Sequence, residues 1–324
     1  MADVTLLHLK RYMGLVGAVV PFPLGQPWRS PDQRPLGTSA LIVMASCLKG
    51  FYLHHCGAAL NPQLALDLSA QRLPTVADRK RGFLGHTMTT VSANPLAPTS
   101  PRARHPKLLP EDATPALLEN VNTSRDRMVV TWLRDSGMRI GELTGLHLVD
   151  LHLRETAPCR ECKSPHLHVC HRYGNANQAA AKTKHEWRIV DGTVTGGLIK
   201  RVSPEMIHSY FEYMTTEYPA DAAHGMLLVQ LHGPEKGQPW SADAARGMLR
   251  RAGARAGLDG RVIPHAFRHE FTTAVLDASG GDLLVAKAAG GWSSTATVDE
   301  IYGHPDLHNP VFSKVLAKVW GEQA

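Results

Sequence analysis

The stretch "SANPLAPTSPRARHPKLLP" sets proline at Pro95, Pro98, Pro101, Pro106 and Pro110. Proline lacks the N–H that a sheet ladder needs, and its ring clashes inside a helix, so no regular element runs through this stretch. It divides the 324 residues into a smaller part, 1–100, a basic extended linker, 101–108, and a larger part, 109–324. Each part is expected to bury its own core.

In the first part, "TSALIVMASCLKGFYLHH" repeats Leu41, Met44, Ala45, Leu48, Phe51 and Tyr52 at helical spacing and stops at Gly57 and Asn61-Pro62. In the second, Arg125–Asp135 places Met128, Val129, Trp132 and Leu133 on one face, with Thr123 or Ser124 as N-cap and Gly137 as the stop. A short helix carries Ile140 to Leu146. From about Leu167 to Pro204 the pattern becomes short β-branched and aromatic segments, "HLHVCHR", "EWRIV" and "LIKRVS". Helices then return at Glu205–Glu217, Ala242–Ala256, His265–Ala278, Leu283–Ala289 and Thr297–Tyr302. The expected fold is mainly α with a small antiparallel β-sheet, an α+β chain.

Lys and Arg number 35 against 29 Asp and Glu, with 18 His, a net charge of +6 and a pI near 9.1. This modest excess favours a polyanionic partner. Five cysteines make no disulfide framework and suit a reducing cytoplasm. The opening "MADVTLLHLKRYMG" lacks the order of an export signal, and no run of about 18 apolar residues occurs, so neither export nor a membrane partner is expected.

"PHAFRHEF" puts His265, Arg268 and His269 on one helix whose apolar stripe is Phe267, Phe271, Ala274 and Val275. Three apart, His265 and Arg268 can reach one ligand. In "GMRIGELTGL", Arg139 lies in a turn between two helices, where an idle guanidinium is costly to desolvate, and Glu142 is its natural partner. "GGWSSTATVDEIYGH" presents Trp292 after a Gly pair and Tyr302 at a helix end, and Thr297 and Glu300 have capping-box spacing. "CRECKSPHLHVCHR" offers Cys159 and Cys162, followed by His166, His168, Cys170 and His171. A tetrahedral zinc site is one reading, but strand alternation would turn some of these ligands away, and reduced thiols in a hairpin extension are the expectation, with no metal.

These segments, in this order, resemble the tyrosine recombinases, or phage-type integrases. The resemblance covers residues 105–305, extends more weakly to the helix at 38–55, and is similar to integrase-like proteins of actinobacterial mobile elements. It implies a helical core-binding DNA-binding domain followed by a catalytic domain. The first core-binding helix is expected to be missing, with "ADVTLLHLKRYMG" where the second would stand.

The resemblance also implies the chemistry. Two guanidiniums, Arg139 and Arg268, grip a scissile phosphate, Tyr302 attacks to form a 3′-phosphotyrosyl link, His265 assists proton transfer, Trp292 donates its indole N–H, and Glu142 supports Arg139. His269 is expected to be a structural hydrogen-bonder. The general acid is a hairpin lysine: Lys182 is preferred, with Lys184 and Lys200 as alternatives. The phosphotyrosine conserves the bond energy, so no cofactor is needed, and no Walker-type loop is present. Implied partners are double-stranded DNA sites, a homotetramer on the DNA synapse and an accessory directionality factor, in the cytoplasm and on the nucleoid. The tail "NPVFSKVLAKVWGEQA" has an apolar helical stripe, Val311, Phe312, Val315, Leu316, Val319 and Trp320, that packs on its own domain or docks on a neighbouring protomer. The competing readings are a type IB topoisomerase-like strand relaxer and a DNA-binding protein with an impaired site.

Overall fold

A computed structural model describes residues 2–17, 34–56, 60–81, 85–98, 108–183, 185–222, 224–258 and 262–302. The chain forms two compact units, Met1–Arg104 and His105–Ala324. Most of the stretch at 101–108, Lys184 and the tail after Tyr302 lie outside the described residues.

The first unit contains α1 (Leu6–Gly17), α2 (Thr38–Cys56), α3 (Pro62–Leu68), β1 (Gln71–Arg72), α4 (Val76–Arg81) and β2 (Val91–Ser92). Leu9 and Met13 of α1, Ala45 and Cys56 of α2, and Leu64 and Leu68 of α3 form its core. Phe51, expected on the buried face of α2, is 48% exposed. Asn61-Pro62 starts a helix as well as following one: the Asn61 side chain accepts from the Leu64 N–H, and proline fills the first turn, where its missing donor costs nothing. The start of the dividing stretch packs on this unit. Leu96 is buried in its core, and Lys49 Nζ donates to the Ala93 carbonyl at 2.6 Å.

The second unit is mainly helical around small antiparallel sheets. It begins with α5 (Ala113–Glu119), α6 (Ser124–Ser136) and α7 (Ile140–Thr144). Thr123 caps α6 by accepting from the Asp126 N–H, and Gly137 ends it at φ 57°. A Cβ on Gly137 would also collide with the Phe271 ring, so glycine is required both for the left-handed turn and for the close approach. Met128, Val129, Val130, Trp132 and Leu133 are all fully buried, which makes α6 the axis of the core rather than a one-faced helix.

One sheet has the order β3 (Leu151–His152), β4 (His166–Val169), β7 (Leu198–Arg201), and a separate hairpin pairs β5 (Trp187–Val190) with β6 (Thr193–Gly196). Registers Leu151↔Leu167 and His168↔Ile199 are antiparallel. The sequence reading anticipated β4, β5 and β7 as one sheet; the two-residue β3 and the Thr-Val-Thr-Gly strand β6 carry too little periodicity to be read. Then follow α8 (Pro204–Thr216), α9 (Ala242–Arg255), α10 (Pro264–Ala278), α11 (Leu283–Gly290) and α12 (Thr295–Tyr302). Helix α12 begins before the anticipated capping box: Ser294 Oγ accepts from the Ala296 N–H, and Thr297 lies inside the helix. Among the described residues no helix is long and apolar enough to cross a membrane.

Candidate active site

Two helix ends converge here. Gly137 follows α6 and Gly291, at φ 70°, follows α11; their carbonyls lie at the negative ends of the helix dipoles. Arg268, fully buried on α10, donates from Nη1 to the Gly137 carbonyl at 2.9 Å and reaches the Gly291 carbonyl at 3.5 Å. Lys200 on β7, 3% exposed, makes the parallel connection, with Nζ donating to the carbonyls of Ser136 at 2.8 Å and Ala289 at 2.6 Å. Two cations thus staple the C-terminal ends of the same two helices, whose following turns carry Arg139 and Trp292.

Arg139 is the N-cap residue of α7. Its Nη1 donates to Glu142 Oε1 at 2.6 Å and its backbone N–H to Oε2 at 2.9 Å, so one buried carboxylate fixes both the helix start and the guanidinium. Glu142 is one carboxylate beside Arg139, Arg268 and Lys200, so positive charge is left over. Burial, and then Arg139, lower the pKa of Arg268 to about 10; burial, and then Arg268, lower that of Lys200 to about 7 against the pull of Glu142.

The Trp292 ring stacks between the guanidiniums, 4.2 Å from Arg268 and 5.9 Å from Arg139. Gly290 permits this, because a Cβ there would meet the indole nitrogen at 2.5 Å. Among the described residues, neither Arg268 Nε nor Trp292 Nε1, both buried, has a hydrogen-bond acceptor. Orphaned buried donors cost about 1–3 kcal/mol each. Beside excess positive charge, they describe a place built for an anion.

A hollow of about 730 Å³ opens here, lined by Arg139, Lys182, His265 and Arg268 among others. A neighbouring hollow of about 360 Å³ is lined by Arg139, Lys182 and Trp292, so Arg139 and Lys182 stand on the shared rim. Lys182 is exposed, but the chain carrying it is fixed. Asn177 Nδ2 bonds the carbonyls of Thr144 and Trp240, Asn175 Nδ2 bonds that of Ala179, and His171 Nδ1 donates to that of Ala181. The sequence reading did not weigh these asparagines, which look like ordinary turn residues. Of the alternatives to Lys182, Lys200 is spent on two carbonyls and Lys184 is outside the described residues.

Tyr302 ends α12, and its phenol lies 2.5 Å from His269 Nδ1. Burial pushes the phenol pKa up, partly offset by Thr272 and Arg268, so the group is protonated at neutral pH. Burial, then His265 and Arg268, lower His269 to about 4, so its neutral ring accepts the phenolic hydrogen. His269, expected to be a structural hydrogen-bonder, makes its hydrogen bond to the tyrosine itself. Burial, followed by Arg268 and Arg139, likewise lowers His265, whose ring centroid is 4.3 Å from that of His269. The stripe expected on α10 differs: Arg268, His269 and Thr272 are buried with Phe267, while Ala274 is exposed.

Of the cysteine-rich segment, Cys159, His166 and His168 come together, joined by His152, which the sequence reading did not single out; Cys162, Cys170 and His171 are not in this group.

A helical unit built around a small antiparallel sheet, with two clustered arginines and a helix-terminal tyrosine, defines the class of the tyrosine recombinase catalytic domain. Residues 107–308 match the phage integrase family, and the chain belongs to it. Transposase A of transposon Tn554 from Staphylococcus aureus is 24% identical over 62% of this chain and 50% of its own length. The tyrosine recombinase XerD of Corynebacterium glutamicum is 27% identical over 82% of this chain and 69% of its own. The chain thus spans about half the length of the Tn554 relative. Among solved structures, the Tn1549 transposon integrase in complex with a circular intermediate DNA superposes with a TM-score of 0.58 at 13% identity, covering 99% of this chain and 86% of that one.

Proposed function

We propose that this chain is a site-specific recombinase that cleaves and rejoins DNA through a 3′-phosphotyrosyl intermediate, integrating or excising a mobile element. The observation that carries it is the pair of orphaned buried donors, Arg268 Nε and Trp292 Nε1, beside Arg139 and a protonated tyrosine. One scissile phosphate meets all of these requirements. Its non-bridging oxygens take the two guanidiniums and the indole N–H, which bind the phosphorane-like transition state more strongly than the ground state because its charge is greater.

Tyr302 Oη attacks phosphorus and its proton passes to His269 Nδ1, the atom that it already meets. The bond from phosphorus to the 5′-oxygen breaks, and Lys182 on the rim supplies the proton to that oxygen. His265 exchanges protons at the same phosphate. Attack by a 5′-hydroxyl reverses each step and rejoins a strand. Double-stranded DNA is the partner, and exchange between two sites calls for four protomers on the synapse, with an accessory factor setting direction.

The test is covalent trapping of full-length protein on a nicked duplex from the boundary of the element that carries the gene. A protease-sensitive DNA adduct that forms without added divalent metal and is absent in Tyr302→Phe is expected. An adduct that persists in Tyr302→Phe, or salt-sensitive DNA binding with no adduct at any duplex, would favour a binding protein with this fold.

A further inference from the structure

The group formed by His152 on β3, Cys159 in the following loop, and His166 and His168 on β4 plays no part in the proposed chemistry. We propose that these four side chains hold a structural zinc ion. Their nearest ligand atoms all lie within 4.8 Å of one another. Cys159 Sγ is 3.1 Å from His166 Nε2, and His168 Nε2 is 3.3 Å from His152 Nδ1. Around tetrahedral zinc, with bonds of about 2.3 Å to sulfur and about 2.0–2.1 Å to nitrogen, ligand atoms sit roughly 3.3–3.6 Å apart. The cage is near that size already.

The outer hydrogen bonds point the same way. His166 Nδ1 meets the Ser164 carbonyl at 2.7 Å and His168 Nδ1 meets the Gly196 carbonyl at 2.6 Å. Carbonyls only accept, so each Nδ1 carries the proton and each Nε2 presents a lone pair toward the cysteine and the third histidine. That arrangement, with the ligating nitrogen bare and the other held by a backbone carbonyl, is how metal-binding histidines are oriented. His166 and His168 are fully buried, and three imidazole rings lie mutually edge-on with centroids 4.7–5.1 Å apart. An apolar core would not spend three histidines on so small a volume without a shared partner.

One thiolate and three imidazoles in a closed set of four suit Zn²⁺ in a structural role, leaving no open position for a substrate. Binding replaces the Cys159 thiol proton, which leaves to solvent, with a bond from sulfur to the metal. His152 is partly exposed and gives the ion a way in. The consequence is positional. The ion would pin residues 153–165 to β3 and β4, and His168 and Glu161 both hold Gly196, through its carbonyl and its N–H, at the end of the β5–β6 hairpin. Nothing in this assignment depends on the recombinase reading.

The test is metal analysis of untagged full-length protein, dialysed against buffer after zinc loading. One zinc per chain is expected in wild type and in Cys162→Ser, whose thiol is outside the cage, with retention at least about tenfold weaker in Cys159→Ser and in His152→Ala. Cobalt in place of zinc should give the strong visible bands of a tetrahedral site and a thiolate charge-transfer band that Cys159→Ser abolishes. Folded wild type that retains no metal, or zinc lost with Cys162→Ser and kept with Cys159→Ser, would overturn the assignment. Should Cys159→Ser fail to fold, the wild-type cobalt spectrum decides alone: octahedral, thiolate-free bands would refute it.

Discussion

Lys182 and Lys200 lie in the same run of chain, yet they face opposite demands. Lys200 is buried with both of its acceptors in place, whereas Lys182 has an exposed side chain on a well-anchored backbone, beside Arg139 and the anion hollow. A general acid must reach a leaving oxygen that arrives with the substrate, so availability outweighs proximity to charge. Lys182→Ala should slow strand cleavage by about 10²–10⁴-fold. Cleavage should recover on a duplex in which sulfur replaces the 5′-bridging oxygen, because a thiolate leaves without being protonated. If the sulfur substrate rescues Lys200→Met and not Lys182→Ala, the assignment of the acid is reversed.

At the scale of elements, the site is the meeting of the ends of α6 and α11, held by Lys200 and Arg268. Removing the ammonium leaves the buried Ser136 carbonyl and the half-buried Ala289 carbonyl without this donor at two negative helix ends. Lys200→Met should therefore cost about 1–3 kcal/mol in denaturant unfolding at neutral pH, in the range for groups left unsatisfied. The sign of the pH effect follows from the lowered pKa. Between pH 7 and about 10 the unfolded chain still binds the lysine proton that the folded chain has released, so this group makes wild-type stability rise with pH across that window and stay flat below it. Subtracting the Lys200→Met curve isolates the rise, and a difference that is flat from pH 7 to 10 would mean that the buried amine stays charged.

The same elements show what a sequence can reveal. The Met128–Leu133 pattern and the Gly137 stop were legible because spacing and a left-handed turn are local properties, and so were Arg139, His265, Arg268, Trp292 and Tyr302 as motif residues. The carbonyls that Lys200 bonds lie 64 and 89 positions away, and His269 and Tyr302 are 33 apart. No local pattern announces such pairs. His152 escaped notice for the same reason: strand pairing, not sequence spacing, brings it beside His166.

For the whole molecule, the proposed site would take a single phosphate, and one phosphate cannot hold a duplex. On the proposed reading, the remaining grip comes from the basic excess, a net charge of +6 to which Arg102, Arg104 and Lys107 of the proline-rich stretch contribute. Each neutralised phosphate releases condensed counterions, so affinity falls with salt in proportion to the number of phosphates neutralised; about 6–10 of them would cost roughly 10³–10⁵-fold between 50 and 200 mM. Replacing Arg102, Arg104 and Lys107 by alanine should lower the slope of log affinity against log salt by about one for each phosphate no longer neutralised, and weaken site-bearing and unrelated duplexes alike. Fluorescence anisotropy over a salt series measures both quantities. Were the weakening confined to the site-bearing duplex, these side chains would be reading bases, and recognition would extend to this basic stretch beyond the residues proposed to cut strands.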